Sequence, residues 1–478
     1  MLTRLWIDGK AVPAASGRTF PVVNPADGKV LANVAEGGLE DVDAAVRAAA
    51  RAATGPWGIM SARARAKVMF EIARLIRENA DELVLLETRN AGKPLADSRD
   101  EIGLAADVFE YYAGAATKHF GETIPVGAAG LDFTLREPVG VCALIVPWNF
   151  PLVIATWKLA PALACGNTII LKPAPETPLT ALRLAELCAE AGLPDGVLNV
   201  IPGPGPGCGD ALVSHPLVRK ISFTGSTATG TSIMKSAADG LKRVSLELGG
   251  KSPNVVFDDA DLDVCVEKSV WSVFGNAGQD CCARSRSIVH HKIYDKFVDK
   301  FVARTKKIVL GHPEKKGSQI GPLISKRQRE KVCRYIDIGE TEGAELLCGG
   351  KLPGGALAKG FYLTPAVFAG VEAKMKIAQD EIFGPVVAIL PFKDEDDAIR
   401  LANDSVYGLS GSLWTRDVGR VLRVTRAVQA GVISVNSSSS VHLEAPFGGY
   451  KSSGVGRELG LKALDLYSEI KNVFVSNA

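Results

Sequence analysis

The chain has 478 residues, longer than one hydrophobic core usually organises, so two or three structural units are expected. Apolar residues make up 47% and charged residues 23%, which excludes the disordered and collagen-like classes. With 55 basic against 53 acidic residues the net charge is +2, and no excess of positive charge calls for nucleic acid or an anionic membrane.

The opening MLTRLWIDGK lacks the apolar h-region of a secretory signal. Apolar runs such as Val141–Val146 are far too short to span a bilayer, so no membrane partner is expected. A helical period runs over Ser61–Leu86, with Val68, Met69, Ile72, Leu75 and Ile76 on one face. From Val139 to Glu247 short β-branched runs alternate with helical patterns. The runs are Cys142–Val146, Thr168–Leu171, Val197–Ile201, Lys220–Phe223 and Arg243–Leu246. Helices are predicted near Leu152–Ala164, Pro178–Glu190, Gly207–His215 and Ala228–Ala238. Such alternation predicts an α/β fold, a doubly wound parallel sheet of the nucleotide-binding kind.

A second α/β series follows Gly249. Helices are predicted at Asp261–Ser272, Tyr294–Val309, Ser325–Glu340 and Asp394–Asn403. Strands are predicted at Ser285–His291, Ala344–Leu347, Val386–Leu390, Leu409–Trp414 and Val432–Val435. The run Tyr467–Val475 reads as an isolated strand that could pair with Leu131–Leu135 outside both units. A stray hairpin with open edges needs a partner, which points to a homodimer or homotetramer. The expected division is two Rossmann-like domains, 1–120 with 138–247 and 248–460, bridged by a small β-hairpin element from 121–137 and 461–478.

Nine cysteines, an odd number scattered over a long chain, fit reduced thiols of the cytoplasm better than a disulfide framework. Cys142, Cys165 and Cys188 read as small core residues. No CxxC pair or His/Cys cluster has zinc spacing, so no metal is expected.

Five stretches could carry chemistry or hold a cofactor. Phe274–Cys282 places two glycines, an amide pair and two thiols after a helix, an irregular backbone from which a thiol can reach a ligand. Taken alone, it fits buried core thiols as well as a nucleophile. Glu247 ends an apolar strand before two glycines. It reads either as a solvated strand end or as a carboxylate whose pKa burial raises toward that of a general base. Asn149 lies in Pro147-Trp148-Asn149-Phe150-Pro151, between a strand and a helix, where its amide can cap the helix or donate to an oxyanion. Phe223–Gly230 turns from strand into helix, as does the glycine-rich Gly203–Gly207. Helix N-termini of this kind bind phosphate, but neither has the G-x-G-x-x-G spacing.

Together these stretches resemble the aldehyde dehydrogenase superfamily. F-x-N-x-G-Q-x-C matches Phe274–Cys281, E-L-G-G-K-x-P matches Glu247–Pro253, and P-W-N-F-P matches 147–151. F-T-G-S, the Lys172 segment Leu171–Pro178, E-I-F-G-P at 381–385 and the loop Pro446–Glu458 complete seven motifs in the family's order. Asn90–Pro94 fits as well, so the resemblance covers essentially the whole chain. It implies Cys281 as nucleophile, Glu247 as the base that activates water, and Asn149 with the Cys281 amide as oxyanion hole. It implies contacts with NAD or NADP from Val146, Pro147, Trp148, Lys172, Glu176, Gly205, Phe223, Thr224, Gly225, Ser226, Thr229, Leu248, Glu381 and Phe383. An aldehyde pocket is implied at Phe150, Trp157, Asp280, Cys282, Ser438, Ser439, His442 and Phe447. The implied reaction is oxidation of an aldehyde to the acid through a thiohemiacetal and a thioester. A coenzyme A-acylating enzyme and a non-catalytic member of the fold are the alternatives, and the presence of Glu247 favours hydrolysis.

The sequence departs from the family pattern in two places. The glutamate common three residues after the lysine in NAD-preferring relatives is Pro175 here, with Glu176 next, so NAD is a lean over NADP. The run Ser437–Ser440 with His442 replaces bulkier residues and predicts a roomier, more polar mouth, in which Asp280 could pair with an amino group.

Overall fold

The protein is described by a computed structural model covering residues 3–439 and 441–477. Strands Val141–Ile145 and Thr168–Lys172 are buried at every position, so water can reach neither face and both must be covered by helices. They pair in parallel at the centre of an eight-stranded sheet. Its order is Gly454–Val455, Arg243–Glu247, Val218–Thr224, Val141–Ile145, Thr168–Lys172, Leu198–Val200, Leu5–Ile7, Lys10–Val12. From Val141–Ile145 the chain builds outward in one direction and then, from Val218–Thr224, in the other. The carboxyl ends of those two strands therefore splay apart and open a crevice, the usual ligand position in a doubly wound sheet.

The second sheet runs Glu345–Cys348, Ala366–Ala369, Val386–Phe392, Arg286–His290, Pro253–Val256, Ser410–Trp414, Val432–Val435, and only its first pairing is antiparallel. The segments entering this sheet carry Gly249–Gly250, Cys281, and Glu381–Gly384. It thus contributes its amino edge to the crevice while the first sheet contributes its carboxyl edge.

The two-sheet α/β expectation holds, with differences of detail. Ser61–Leu86 is not one helix but two, Ala62–Glu78 and Ala80–Ala91. They break at Asn79, whose side chain donates to the Leu75 carbonyl (2.9 Å) and caps the first. Residues 461–467 form a 3₁₀ turn instead of a bridging strand, with Ala463, Leu464 and Tyr467 buried in the first core. The short strand Gly454–Val455 pairs with Leu246 and Glu247 and so joins the first sheet, across the expected boundary at 248. The expected hairpin is a three-stranded sheet, Thr123–Ile124, Gly130–Pro138 and Ser468–Ser476, with Lys471 opposite Leu135. The strands Pro253–Val256 and Ala366–Ala369 are not evident in the sequence, because four residues carry too little period to identify a strand. Among the described residues no helix is long and apolar enough to cross a membrane.

Candidate active site

The helix Pro151–Ala164 is buried along its whole length, which anchors the turn before it. Val146 N donates to the Lys172 carbonyl (3.1 Å), so the turn leaves the sheet at a fixed angle. Asn149 is 4% exposed, and its Nδ2 donates to the Gln279 carbonyl (3.0 Å). The Asn149 carbonyl accepts from Lys93 Nζ (2.8 Å) and from Asn276 Nδ2 (3.0 Å). Lys93 is in turn clamped by both oxygens of Glu101 at 2.6 Å. The amide is thereby aimed at the loop that carries Cys281.

That loop is strained. Asn276, Ala277 and Gly278 take φ of 49°, 54° and 70°, a left-handed run costly for an alanine. Gln279 holds it from within: its Oε1 accepts from Ile324 N (2.9 Å) and its Nε2 donates to the Asn276 carbonyl (3.1 Å). A Cβ on Gly278 would lie 2.2 Å from the Gly384 carbonyl oxygen, so only glycine fits. Cys281 emerges half-buried at the end of this loop. The neighbouring Cys282 thiol, then burial, then the carboxylate of Asp280 push its pKa well above that of an ordinary thiol. At rest it is a thiol, and its proton needs an acceptor.

Glu247 ends the strand Arg243–Glu247 and is 4% exposed, and neither carboxyl oxygen has a hydrogen-bond partner. Burial, then the charge of Glu458, hold its pKa well above the usual range, so its ionised form is disfavoured. Glu458 is itself paired with buried Lys158, and the Lys158 Nζ also donates to Ser222 Oγ (3.1 Å). A Cβ on Gly448 would lie 2.7 Å from Glu247 Oε1, so the carboxyl rests against bare backbone.

Two cavities meet at Cys281. The first, about 250 Å³, contains Phe150, Trp157, Asp280, Cys282, Ser438, Ser439 and Phe447 in its walls, all expected. Leu104, Val153, Ile154 and Val441 line it too, so its walls are largely apolar, with polar groups from Glu101, Ser272, Asp280, Arg284, Ser438 and Ser439. His442 is exposed and lies outside the lining, a correction to the sequence reading. Ser440 lies outside the described residues. Asp280 Oδ1 accepts from Cys282 N (2.8 Å), which commits half of that carboxylate to its own loop.

The second cavity, about 200 Å³, is lined by Pro147, Trp148, Thr224, Gly225, Ser226, Leu248, Glu381 and Phe383. Trp148 meets the Phe383 ring edge-on at 5.2 Å. Phe383 sits at φ 58°, held by Gln328 Nε2 donating to its carbonyl (2.7 Å). Glu381 Oε1 accepts from Gly250 N (3.0 Å), and a Cβ on Gly249 would lie 2.4 Å from Glu381 Oε2. Gln328 and Lys331 also line this cavity. Sequence reasoning missed both, because their one signal was a shared face of an otherwise charged helix.

The remaining expected cofactor residues lie off this lining. Val146 and Phe223 are buried supports, and the Phe223 ring is what a Cβ on Gly225 would strike at 2.5 Å. Thr229 N donates to Ser226 Oγ (3.3 Å), capping the helix Thr227–Ala238. Lys172 is 4% exposed with its Nζ on the Pro173 carbonyl (3.3 Å), and burial lowers its pKa. Gly209 lies against it, at the end of the irregular turn Gly205–Gly209. Gly205 is exposed, and Glu176 faces Arg327 at 3.8 Å. A dinucleotide fits this set. Thr224 Oγ1 is buried without a partner, Ser226 opens a helix N-terminus, and the glycines leave room for a close approach.

The family model described as the aldehyde dehydrogenase family matches residues 11–473. The mitochondrial aldehyde dehydrogenase of Homo sapiens is 46% identical over 476 residues, covering 99% of this chain and 92% of that one. The NAD+ complex of aldehyde dehydrogenase from Bacillus cereus superposes with a TM-score of 0.98 at 44% identity, covering 100% of this chain and 97% of that one. Betaine aldehyde dehydrogenase from Staphylococcus aureus, also bound to NAD+, matches with a TM-score of 0.98 at 41% identity, over 100% and 95%.

Proposed function

The chain belongs to the aldehyde dehydrogenase family, and on that premise we propose that it oxidises an aldehyde to the carboxylic acid with Cys281 as the covalent nucleophile. One observation carries the assignment: among the described residues, Cys281 alone lines both the apolar cavity and the cavity of Trp148, Glu381 and Phe383. A carbonyl carbon entering from the first side would meet the thiol where a redox cofactor entering from the second side could accept hydride.

The Cys281 thiol gives up its proton to solvent, and the sulfur adds to the aldehyde carbon to form a thiohemiacetal anion. The Asn149 amide, locked by Gln279 and Lys93, and the Cys281 N–H stabilise the oxyanion. NAD+, when bound, supplies the hydride acceptor. Thr224, Gly225 and Ser226 would hold its pyrophosphate, and Glu381 with Phe383 the nicotinamide ribose. Lys172 and Glu176 would hold the adenosine ribose, with Gly205 beside them. Leu248, Pro147 and Trp148 line the way in, while Val146, Phe223 and Thr229 support the turns. A thioester remains on Cys281. Glu247, once ionised, takes a proton from water, and the resulting hydroxide hydrolyses the thioester to the acid and free thiol.

The apolar walls favour an aldehyde with an apolar tail. Segments 1–120 and 138–247 form the cofactor-binding unit and 248–460 the catalytic unit, with Gly454–Val455 crossing back to the first sheet. The three-stranded sheet Thr123–Ile124, Gly130–Pro138 and Ser468–Ser476 joins copies into a homodimer or homotetramer. All nine cysteines are free, which fits a reducing cytoplasm. A panel of aldehydes assayed with NAD+ and NADP+, with and without coenzyme A, tests the function. Acid and NADH are expected, with no acyl-coenzyme A. Acyl-coenzyme A as the product, or no reduction of either cofactor, would overturn the reading.

A further inference from the structure

Asp280, Cys281 and Cys282 are consecutive, so a search for conventional zinc spacing passes over them. The loop nevertheless turns all three side chains to one point. One carboxylate oxygen of Asp280 and the two sulfurs all lie within 4.8 Å of one another. Asp280 Oδ1 is held by Cys282 N, which fixes the carboxylate beside both sulfurs. All three residues line the 250 Å³ cavity, so the cluster opens toward space where an ion and its water can enter. The Arg284 guanidinium lines the same cavity: its Nη1 donates to the Cys282 carbonyl, its Nε to Ser412 Oγ (3.0 Å) and its Nη2 to the Gly411 carbonyl (3.3 Å). Its single positive charge stands beside three ligands that together carry three negative charges once both thiols are deprotonated.

We propose that Asp280, Cys281 and Cys282 form a site for a thiophilic divalent cation, Zn2+, which reversibly blocks the nucleophile. Zinc binds thiolate sulfur at about 2.3 Å and carboxylate oxygen at about 2.0–2.2 Å in tetrahedral sites. Small rotations of the three side chains bring the observed cluster to that spacing. Two S–H bonds break, two Zn–S bonds form, and two protons pass to solvent. The carboxylate supplies the third ligand and a water from the cavity the fourth. No electron is transferred, and a chelator restores both thiols. Cys281 cannot add to a carbonyl while its sulfur is bound, so aldehyde oxidation stops. The site rests on geometry alone, and only its inhibitory consequence depends on Cys281 being the nucleophile.

Two readouts test it on the full-length protein. Titration with Cd2+ in the absence of substrate should give a thiolate-to-metal charge-transfer band in the ultraviolet at one ion per chain. That band should halve in Cys281→Ser and in Cys282→Ser. In the second readout, Zn2+ should inhibit aldehyde oxidation and EDTA should reverse it. Outer-shell groups alone are worth about 10–100-fold in metal affinity, so the loss of a direct ligand in Cys282→Ser should raise the inhibition constant by more than about tenfold, each protein referred to its own zinc-free rate. Asp280→Asn, whose Oδ1 still accepts from Cys282 N, should weaken Zn2+ as well. Cys282→Ala gives the same reading should the serine variant fold poorly. A band unchanged in both cysteine variants, or zinc inhibition undiminished in Cys282→Ser or in Asp280→Asn, would overturn the three-ligand site. Because the Cd2+ band needs no turnover, absence of aldehyde oxidation would refute the enzymatic reading and leave the metal site standing.

Discussion

At Glu247 two carboxyl oxygens are buried without a partner, and the cost falls on the ionised form. The folded pKa stands above the ordinary 4.5, so native stability is whole below 4.5, where the group is protonated folded and unfolded alike, and is lost as pH rises from there through the folded value. The same rise generates the base. The hydrolytic limb of kcat should therefore climb with pH at a midpoint well above 4.5, over the window in which Tm falls. Glu247→Gln should flatten that limb and lessen the decline in Tm. In stopped flow it should release one reduced cofactor per chain as a burst and then stall, and unchanged steady-state turnover would refute the base assignment. Glu247 was legible in the sequence through the E-L-G-G-K-x-P motif, since by itself a carboxylate at the end of an apolar strand also reads as a solvated strand end. Gly448, against which it rests, was not legible, since 201 residues separate the two and only folding brings them together.

Among the elements, the loops between strands and helices do the positioning, and they do so through single contacts. Gly249 leaves 2.4 Å between its missing Cβ and Glu381 Oε2, so Gly249→Ala should displace Glu381 from Gly250 N. The expected result is a raised KM for NAD+ with a smaller change in KM for the aldehyde, measured by varying each in turn. Lys93 ties the helix Leu95–Ala115, through Glu101, to the Asn149 turn. Its side chain is 0% exposed and that of Glu101 11%, so removing one partner strands a buried charge. Lys93→Met should cost about 3–5 kcal/mol of stability in denaturant unfolding. It should also lower kcat, because the Asn149 carbonyl loses one of its two anchors. The sequence pattern located Asn90–Pro94 as a motif, yet its pairing with Glu101 and Asn149 depends on how two helices and a turn pack.

For the molecule as a whole, the three-stranded sheet is an unpartnered surface. Leu131 and Val475 are direct cross-strand neighbours and are each 50% exposed, with Leu135 at 42% along the same face. On the other face Ile470 and Phe474 are 61% and 44% exposed. Apolar groups gathered on an antiparallel sheet with open edges favour association. Leu131→Asp combined with Val475→Asp should shift sedimentation toward the monomer, and an unchanged mass would move the interface elsewhere.

By itself the sequence determined the two α/β series, the pairing of the C-terminal strand with 131–135, and the residues Cys281, Glu247 and Asn149. Hydrophobic period and local motif are properties of neighbours along the chain, and these features depend on little else. Only the tertiary structure decided that the carboxyl edge of one sheet faces the amino edge of the other. That meeting of edges places Cys281 between two cavities, brings Gln328 and Lys331 to the second, and leaves His442 outside the first. It also turns three consecutive side chains, Asp280 to Cys282, toward one point. Each of these outcomes depends on residues far apart in sequence or on the dihedral angles of a strained loop, and neither periodicity nor motif spacing encodes a direction in space.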